Sequence, residues 1–555
     1  MKRVLFSAVA AAGLSAAAPA LAAGCSLGNG IKHVVYLQFD NTHFIRDNAN
    51  VPSDLEQMPN LLNFMKTHGV VLSNDHTQLI SHTSNGLITS MTGVYSDRTG
   101  AAAISNSFSY YNADTKIAAY ADYSSSFVYW PDTLSGDTSP GADRSYVLID
   151  QQGKNAPAPW VAYTRAGCDF AAAGIADLEF ENTTTDVATA FGPSSAEYAF
   201  TTNKSNSESG TSEADFEGVA IHCARNSVVC AAADKLTTVQ PDGLPLSRTA
   251  PDALPQEPDG YTGYEAIFGH RYALPAVQSV LGEAKPGLDL NDLQGNLIGY
   301  QTAVGGQIIQ SDTIPGFPGF DGMFPWVTLA YTEEFLKAGI PVVYGYFSDA
   351  HDHQYGVVDG VNPAGSTFAY GPGEQGYTNK LKLYDQAWGT FFSDLSAAGI
   401  DDTNTLFVIL VEEGDRFAGG KPTPADCDGV TVACTYPPNA YTDGRPAKGE
   451  VDVNIDALLA QQRNDTTPFT AHTDQSTGYY LNGEPAPTAP VARTFARDVA
   501  ALTYNDPYLN NALVPVTTAL ADPAELSILH MITGDPLRTP TLIGFNNDDV
   551  YGGTG

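Results

Sequence analysis

The sequence predicts an α/β fold: a mostly parallel central sheet flanked by helices, with a loop-rich insertion or cap. Three observations carry this. Short apolar runs, HVVYLQF (33–39), IPVVYGYF (340–347) and TLFVILV (405–411), read as strands buried on both faces. Helical stretches alternate with them, as parallel connections require. The composition, 43% hydrophobic and 16% charged over 555 residues, fits a globular chain with a large core.

The elements follow in order. MKR, the apolar VLFSAVAAAGLSAAA and ALA at 20–22 have the plan of a secretory signal peptide over 1–22, which places the mature chain outside the cell or in the periplasm. LAAGC, ending at Cys25, also resembles a lipoprotein cleavage box, with Ala22 where Leu is usual, so anchoring through Cys25 is the alternative to plain secretion. After the strand at 33–39, MPNLLNFMKTHG predicts a helix: Pro59 suits its first turn, Leu61, Leu62 and Met65 share a face, and Gly69 ends it. SNGLITSMTG, after Thr83, predicts a short helix closed by Gly93. From about 101 to 300 the pattern weakens. Polar, loop-rich sequence such as FENTTTDVATAFGPSSAEYAFTTNKSNSESG predicts an insertion or cap on one catalytic domain spanning 31–555. TLAYTEEFLKAG predicts a helix ending at Gly339. LKLYDQAWGTFFSDLSAAG predicts the clearest one, with Tyr384, Trp388, Phe391, Phe392 and Leu395 on one stripe and Gly399 as its cap. VARTFARDVAALT predicts a late helix. Gly- and Pro-rich stretches at 310–325 and 360–376 read as loops, and no internal repeat is found.

Charge and cysteines narrow the class. With 27 Lys+Arg against 62 Asp+Glu, the net charge is −35, and no basic stretch follows the first three residues. That argues against nucleic-acid binding, which depends on neutralising phosphates. After the signal peptide no apolar run reaches the ~18 residues of a membrane span. Cys223/Cys230 and Cys427/Cys434 are close pairs that predict disulfides in an exported chain. Cys25 and Cys168 pair only if Cys25 carries no lipid. No zinc-finger spacing occurs.

The chemistry-bearing residues collect at strand ends. Asp40 and Asn41 follow the first strand, Glu412 and Glu413 follow TLFVILV, and YFSDAHDHQ (346–354) crowds Asp349, His351, Asp352 and His353 behind the third. Ligands of parallel sheets bind beyond the carboxyl ends of strands. If these strands are neighbours, their carboxylates converge, and a divalent cation resolves the repulsion. Singly, each has an ordinary reading as a turn residue or a solvated pair. Thr83 stands just before a helix, where backbone N–H groups and the helix dipole suit a phosphate or sulfate, although a plain N-cap explains the same residue.

These residues resemble the alkaline phosphatase superfamily of metal-dependent phosphatases, phosphodiesterases and sulfatases. IKHVVYLQFDNTHF is similar to the opening of its phospholipase C/acid phosphatase branch. The metal-binding Glu-Asn of that branch falls on Asp40 and Asn41, and its Asp-Glu pair on Glu412 and Glu413 of LVEEGDRF. The nucleotide pyrophosphatase/phosphodiesterase branch is echoed as well. Counting back from Thr92 of TGVY puts its nucleophile on Thr83, its Asp-x-x-x-His metal motif falls on Asp349 and His353, and its last metal histidine on His472 of FTAHTDQSTGYYLNGEP. The chain departs from that branch in having Glu412–Glu413 where Asp-His is usual. A Thr at 83 argues against the formylglycine chemistry of sulfatases.

The resemblance implies an exported, metal-dependent phosphoric-ester hydrolase. Thr83 is the expected nucleophile, with its hydroxyl also at a metal, and Asn85 the expected donor to the transition state. Two divalent ions, drawn from Mg, Mn, Ca or Zn, are expected: one on Asp40, Asn41, Glu412 and Glu413, the other on Asp349, His353 and His472, with His351 as alternative ligand. The substrate class is a phosphate-ester small molecule or a lipid headgroup. The alternatives are a sulfate or phosphonate ester hydrolase on the same fold, and a catalytically silent calcium-dependent binding protein.

Overall fold

A computed structural model of the chain describes residues 24–46, 52–77, 83–93, 95, 107–123, 134–135, 158–174, 183–208, 211–216, 218–252, 261, 263–282, 290–291, 297–298, 325–347, 350, 375–412, 414, 423–424, 426–427, 432, 451–472, 476–507, 511–532, 536–547 and 550–553. In chain order the strands begin with β1 (His33–Phe39), β2 (Ser107–Tyr111), β3 (Ala118–Tyr123), β4 (Leu134–Ser135), β5 (Phe170–Ala173), β6 (Val219–Cys223), β7 (Ala250–Pro251) and β8 (Glu265–Phe268). They continue with β9 (Leu290–Asn291), β10 (Leu297–Ile298), β11 (Val342–Phe347), β12 (Thr405–Val411), β13 (Val451–Asn454), β14 (Phe469–His472) and β15 (Ser476–Leu481). The last are β16 (Thr503–Asp506), β17 (Ala512–Pro515), β18 (Thr517–Ala521), β19 (Leu542–Asn546) and β20 (Val550–Gly553). The first helices are α1 (Asp54–Gln57), α2 (Pro59–His68) and α3 (Thr83–Thr92).

The main sheet has seven strands in the order β12-β1-β11-β5-β6-β8-β7. From β12 to β5 they run parallel, and from β5 to β7 each pair is antiparallel. The fold is therefore α/β with a parallel block and an antiparallel extension. β1 lies between β11 and β12, in register through Phe39↔Phe347 and Phe39↔Val411. The three apolar runs are thus neighbours. TLFVILV, read as a buried strand, is the sheet's edge: only Thr405 is buried, and Leu406 is 49% exposed. An apolar run does not by itself distinguish an edge from a centre.

Alternation divides the faces of β1. On one face Phe39 and Phe347 stack, 4.9 Å between ring centroids, and both meet Trp388 of the helix Gln375–Ala397. Phe392 of that helix stacks on Phe64 of α2 at 3.7 Å. The other face carries Tyr36 and Gln38, both hydrogen-bonded to Ser90 of α3. Each predicted helix appears near its expected bounds, including Pro325–Lys337 and Pro490–Val499.

The expected insertion needs correction. β5, β6, β7 and β8, with the helix His270–Leu281, come from residues assigned to the cap over 101–300, yet these four strands are more than half of the seven-stranded central sheet. FAAA of β5 is fully buried although alanine has little strand preference. The chain also builds a second core beyond 450: Phe469, Tyr479, Leu481, Phe495 and Val499 pack between the sheet β14-β15-β19-β18 and the helix Pro490–Val499. The described residues therefore pack around at least two separate interiors.

Disulfides join Cys25 to Cys168, with 4.5 Å between Cα atoms, and Cys223 to Cys230, with 6.4 Å. Cys427 is disulfide-bonded, and its expected partner Cys434 lies outside the described residues. The Cys25 sulfur that bonds Cys168 has no valence left for a lipid thioether. Among the described residues no helix is long and apolar enough to cross a membrane.

Candidate active site at the carboxyl ends of three parallel strands

The ladder of the parallel block runs one residue past the strands. Asp40 N–H donates to the Phe347 carbonyl and Glu412 N–H to the Phe39 carbonyl, both at 2.9 Å. Asp40 and Glu412 therefore stand level at adjacent strand ends, and both are buried, 6% and 2% exposed. Two neighbouring carboxylates withdrawn from water repel each other and favour a counter-charge.

The turn after β1 shapes the Asp40 side. Asn41 takes φ +45°, a left-handed conformation that asparagine tolerates better than most residues. Its Nδ2 donates to Asp40 Oδ1 at 3.0 Å, and the Tyr346 hydroxyl of β11 donates to Asp40 Oδ2. Thr42 Oγ1 closes the turn on the Asp40 carbonyl at 2.9 Å. The next residue, His43, donates its N–H to Asp54 Oδ2 at 2.8 Å, and the same oxygen accepts the Tyr377 hydroxyl at 2.7 Å. The His43 ring lies against Gly414, 3.3 Å from where a Cβ would stand.

The Glu412 side meets α3. Gly86, in its first turn, is buried, and a Cβ there would collide with the Glu412 carboxylate and stand 3.0 Å from Glu412 Cβ and Cδ. Only glycine lets the helix and this carboxylate approach so closely. Thr83 is the first residue of α3 and Asn85 lies in its first turn, so Glu412 lies against the turn that carries both.

Of the predicted site residues, Asp40, Asn41, Glu412 and the helix start at Thr83 and Asn85 come together. His472 is buried at the end of β14 in the second sheet, where its Nδ1 meets Ser109 Oγ at 2.9 Å and its ring lies 6.0 Å from Tyr120. Asp349, His351, His353 and Glu413 lie outside the described residues. Among the described residues no group of three or more His, Cys, Asp or Glu is arranged to hold a metal. Sequence reasoning missed Tyr346, His43, Asp54, Tyr377 and Gly86. Two signals pointed to them: Tyr346 opens the cluster YFSDAHDHQ, and His43 closes DNTH.

No family model matches this chain, and neither does any curated protein. Among solved structures, the chain is similar to a phosphonoacetate hydrolase from Sinorhizobium meliloti 1021, crystallised with phosphonoacetate. The TM-score is 0.40 and the identity 10%, over 95% of this chain and 83% of that one, a likeness too low to assign an activity.

Proposed function

We propose that the chain is an exported, metal-dependent hydrolase of phosphoric esters that uses Thr83 as nucleophile. The observation that supports this most is the approach of Glu412 to Gly86, because it joins the first turn of α3 to the acidic ends of β1 and β12. A divalent cation fits the donors described: carboxylates from Asp40 and Glu412 and the amide oxygen of Asn41, hard oxygen ligands at adjoining strand ends beside the first turn of α3. The full set in this reading adds Glu413 to that site and gives Asp349, His353 and His472, with His351 as alternative, to a second. Bound ions would neutralise the oxygens at phosphorus and favour an ionised Thr83 hydroxyl.

The chain's own residues do the rest. Thr83 Oγ bonds to phosphorus as the ester P–O bond breaks and the alcohol leaves. Water then bonds to phosphorus, the P–Oγ bond breaks, and phosphate and Thr83 are released. The free N–H groups of the first turn of α3 hold phosphoryl oxygens, with Asn85 as a further donor. Tyr346 and Asn41 hold the Asp40 carboxylate in place.

The test is a screen of phosphate mono- and diesters with Mg, Mn, Ca and Zn, on the wild type and on Thr83→Ala. The reading expects turnover that a chelator abolishes and that Thr83→Ala lowers by several orders of magnitude with its metals retained. Near-normal turnover in Thr83→Ala would remove the covalent step. A protein that binds calcium and turns over nothing would be a binding protein instead.

A further inference from the structure

Gln38 is a wholly buried amide one residue from the carboxyl end of β1, where an apolar side chain would be the simple choice. Its hydrogen bonds run in one direction. The Tyr344 hydroxyl of β11 donates to Gln38 Oε1 at 2.8 Å, Gln38 Nε2 donates to Ser90 Oγ at 2.8 Å, and Ser90 Oγ donates to the Leu87 carbonyl at 3.0 Å. The Tyr36 hydroxyl also bonds Ser90, and burial pushes its pKa up to about 12, so it stays protonated at neutral pH. A directed chain fixes the amide's orientation and ties two strands to one helix.

The geometry gives this chain a purpose. Thr83, Gly86, Leu87 and Ser90 have the i, i+3, i+4, i+7 spacing of one helix face. Ser90 anchors that face to β1 at Gln38, and Gly86 rests on Glu412 at the level of Asp40. From Gly86 to Ser90 a helix rises about 6 Å. From Gln38 to the level of Asp40 a strand rises about 6.6 Å. The two contacts therefore agree on one height for α3, with its Thr83 end toward the carboxyl ends of the strands.

We propose that Gln38 is a positioning residue, which through Ser90 sets the height of α3 on the sheet and holds the Thr83 end beside Asp40 and Glu412. The catalytic part of this inference rests on the phosphoesterase reading; the anchoring part does not. Neither Gln38 nor Ser90 is a ligand or reacting group in that reading. Their loss acts by displacement, and a shift of 1 Å at a reacting group can cost about 10²-fold in rate.

The experiment compares wild type, Gln38→Leu, Ser90→Ala and the double variant. It reads kcat and KM on the best ester, bound metal, and amide hydrogen exchange across 83–92. The expected result for Gln38→Leu is a kcat about 10²-fold lower, KM and metal content near wild type, and exchange in α3 at least about tenfold faster. Ser90→Ala also loses the Tyr36 bond, so the double variant should be little worse than Ser90→Ala, because the Gln38 link to α3 is then already broken. Unchanged exchange in α3 overturns the proposal, as does unchanged kcat in an active enzyme. If the wild type turns over no ester, the phosphoesterase reading falls, and exchange in α3 still decides the anchoring. Should Gln38→Leu not fold, Ser90→Ala removes the same bond from the helix side with a residue that favours helix, and the same readouts apply.

Discussion

Gly86 separates stability from function at a single residue. In a helix, Gly→Ala ordinarily stabilises by about 1 kcal/mol. Here the added methyl meets the Glu412 carboxylate, whose charged end must swing away, and stands 3.0 Å from Glu412 Cβ, so α3 must also give by a few tenths of an ångström. The gain in propensity and the loss of packing oppose each other, so Gly86→Ala should change unfolding stability by no more than about 1 kcal/mol in urea titration. On the proposed reading, in which Glu412 holds a metal, metal affinity and turnover should nevertheless fall by about 10–100-fold, as for changes that move a ligand without deleting it. A variant that loses several kcal/mol, or keeps full metal affinity, would show that Glu412 lies elsewhere in the working protein. Neighbouring residues show how far such detail can be read beforehand. Asp40, Asn41 and Glu412 stand directly after apolar runs, so their strand-end position is legible. Tyr346 reaches Asp40 only because Tyr346 and Gln38 are paired across β1 and β11, and pairing is not written in either segment alone.

Among the elements, strands of the parallel block and long helices are legible because burial on both faces, or along one stripe, leaves a pattern in the chain. β5 to β8 are not, since they are only two to five residues long and β5 is mostly alanine, too short a stretch for a buried-strand pattern to stand out. One of those helices, His270–Leu281, carries a titratable group with a clear consequence. His270, at its first position, meets the Tyr331 hydroxyl of the helix Pro325–Lys337. Burial, and then the Arg271 charge, lower its pKa from 6.5 to about 4. The folded state thus prefers the neutral ring. In the unfolded chain the ring binds its proton from pH 6.5 downward, in the folded one only near 4. His270 therefore withholds no stability above pH 6.5; as pH falls from there toward 4, stability is lost progressively, and the loss levels off below 4. His270→Gln should flatten the wild type's stability slope between pH 7 and 4. Parallel slopes for the two proteins would place the acid sensitivity on other groups, such as Glu56, whose pKa the Arg46 hydrogen bond lowers.

At the scale of the whole molecule, the two described disulfides and the candidate site sit at opposite ends of the parallel block. Cys25 precedes β1, and Cys168 stands just before β5, two strands away in the sheet order β1-β11-β5. Asp40 and Glu412 follow the other ends of β1 and β12. The Cys25–Cys168 bond spans 143 residues of sequence and the Cys223–Cys230 bond only 7. By loop entropy alone, the long link should contribute about 5 kcal/mol and the short one about 2.5 kcal/mol, both upper values because real bridges often deliver less. Replacing Cys25 and Cys168 together by Ser should therefore lower the unfolding free energy more than replacing Cys223 and Cys230. Because the link lies far from the strand ends that carry Asp40 and Glu412, the folded double variant should keep its metal affinity and kcat. The same bond decides the fate of the N-terminus, since a sulfur joined to Cys168 cannot also carry a lipid. Intact-mass and peptide mapping of the native protein should find Cys25 linked to Cys168 with no acyl mass. A diacylglyceryl group on Cys25 would break the predicted link, leave Cys168 to another partner, and tie the protein to a membrane surface.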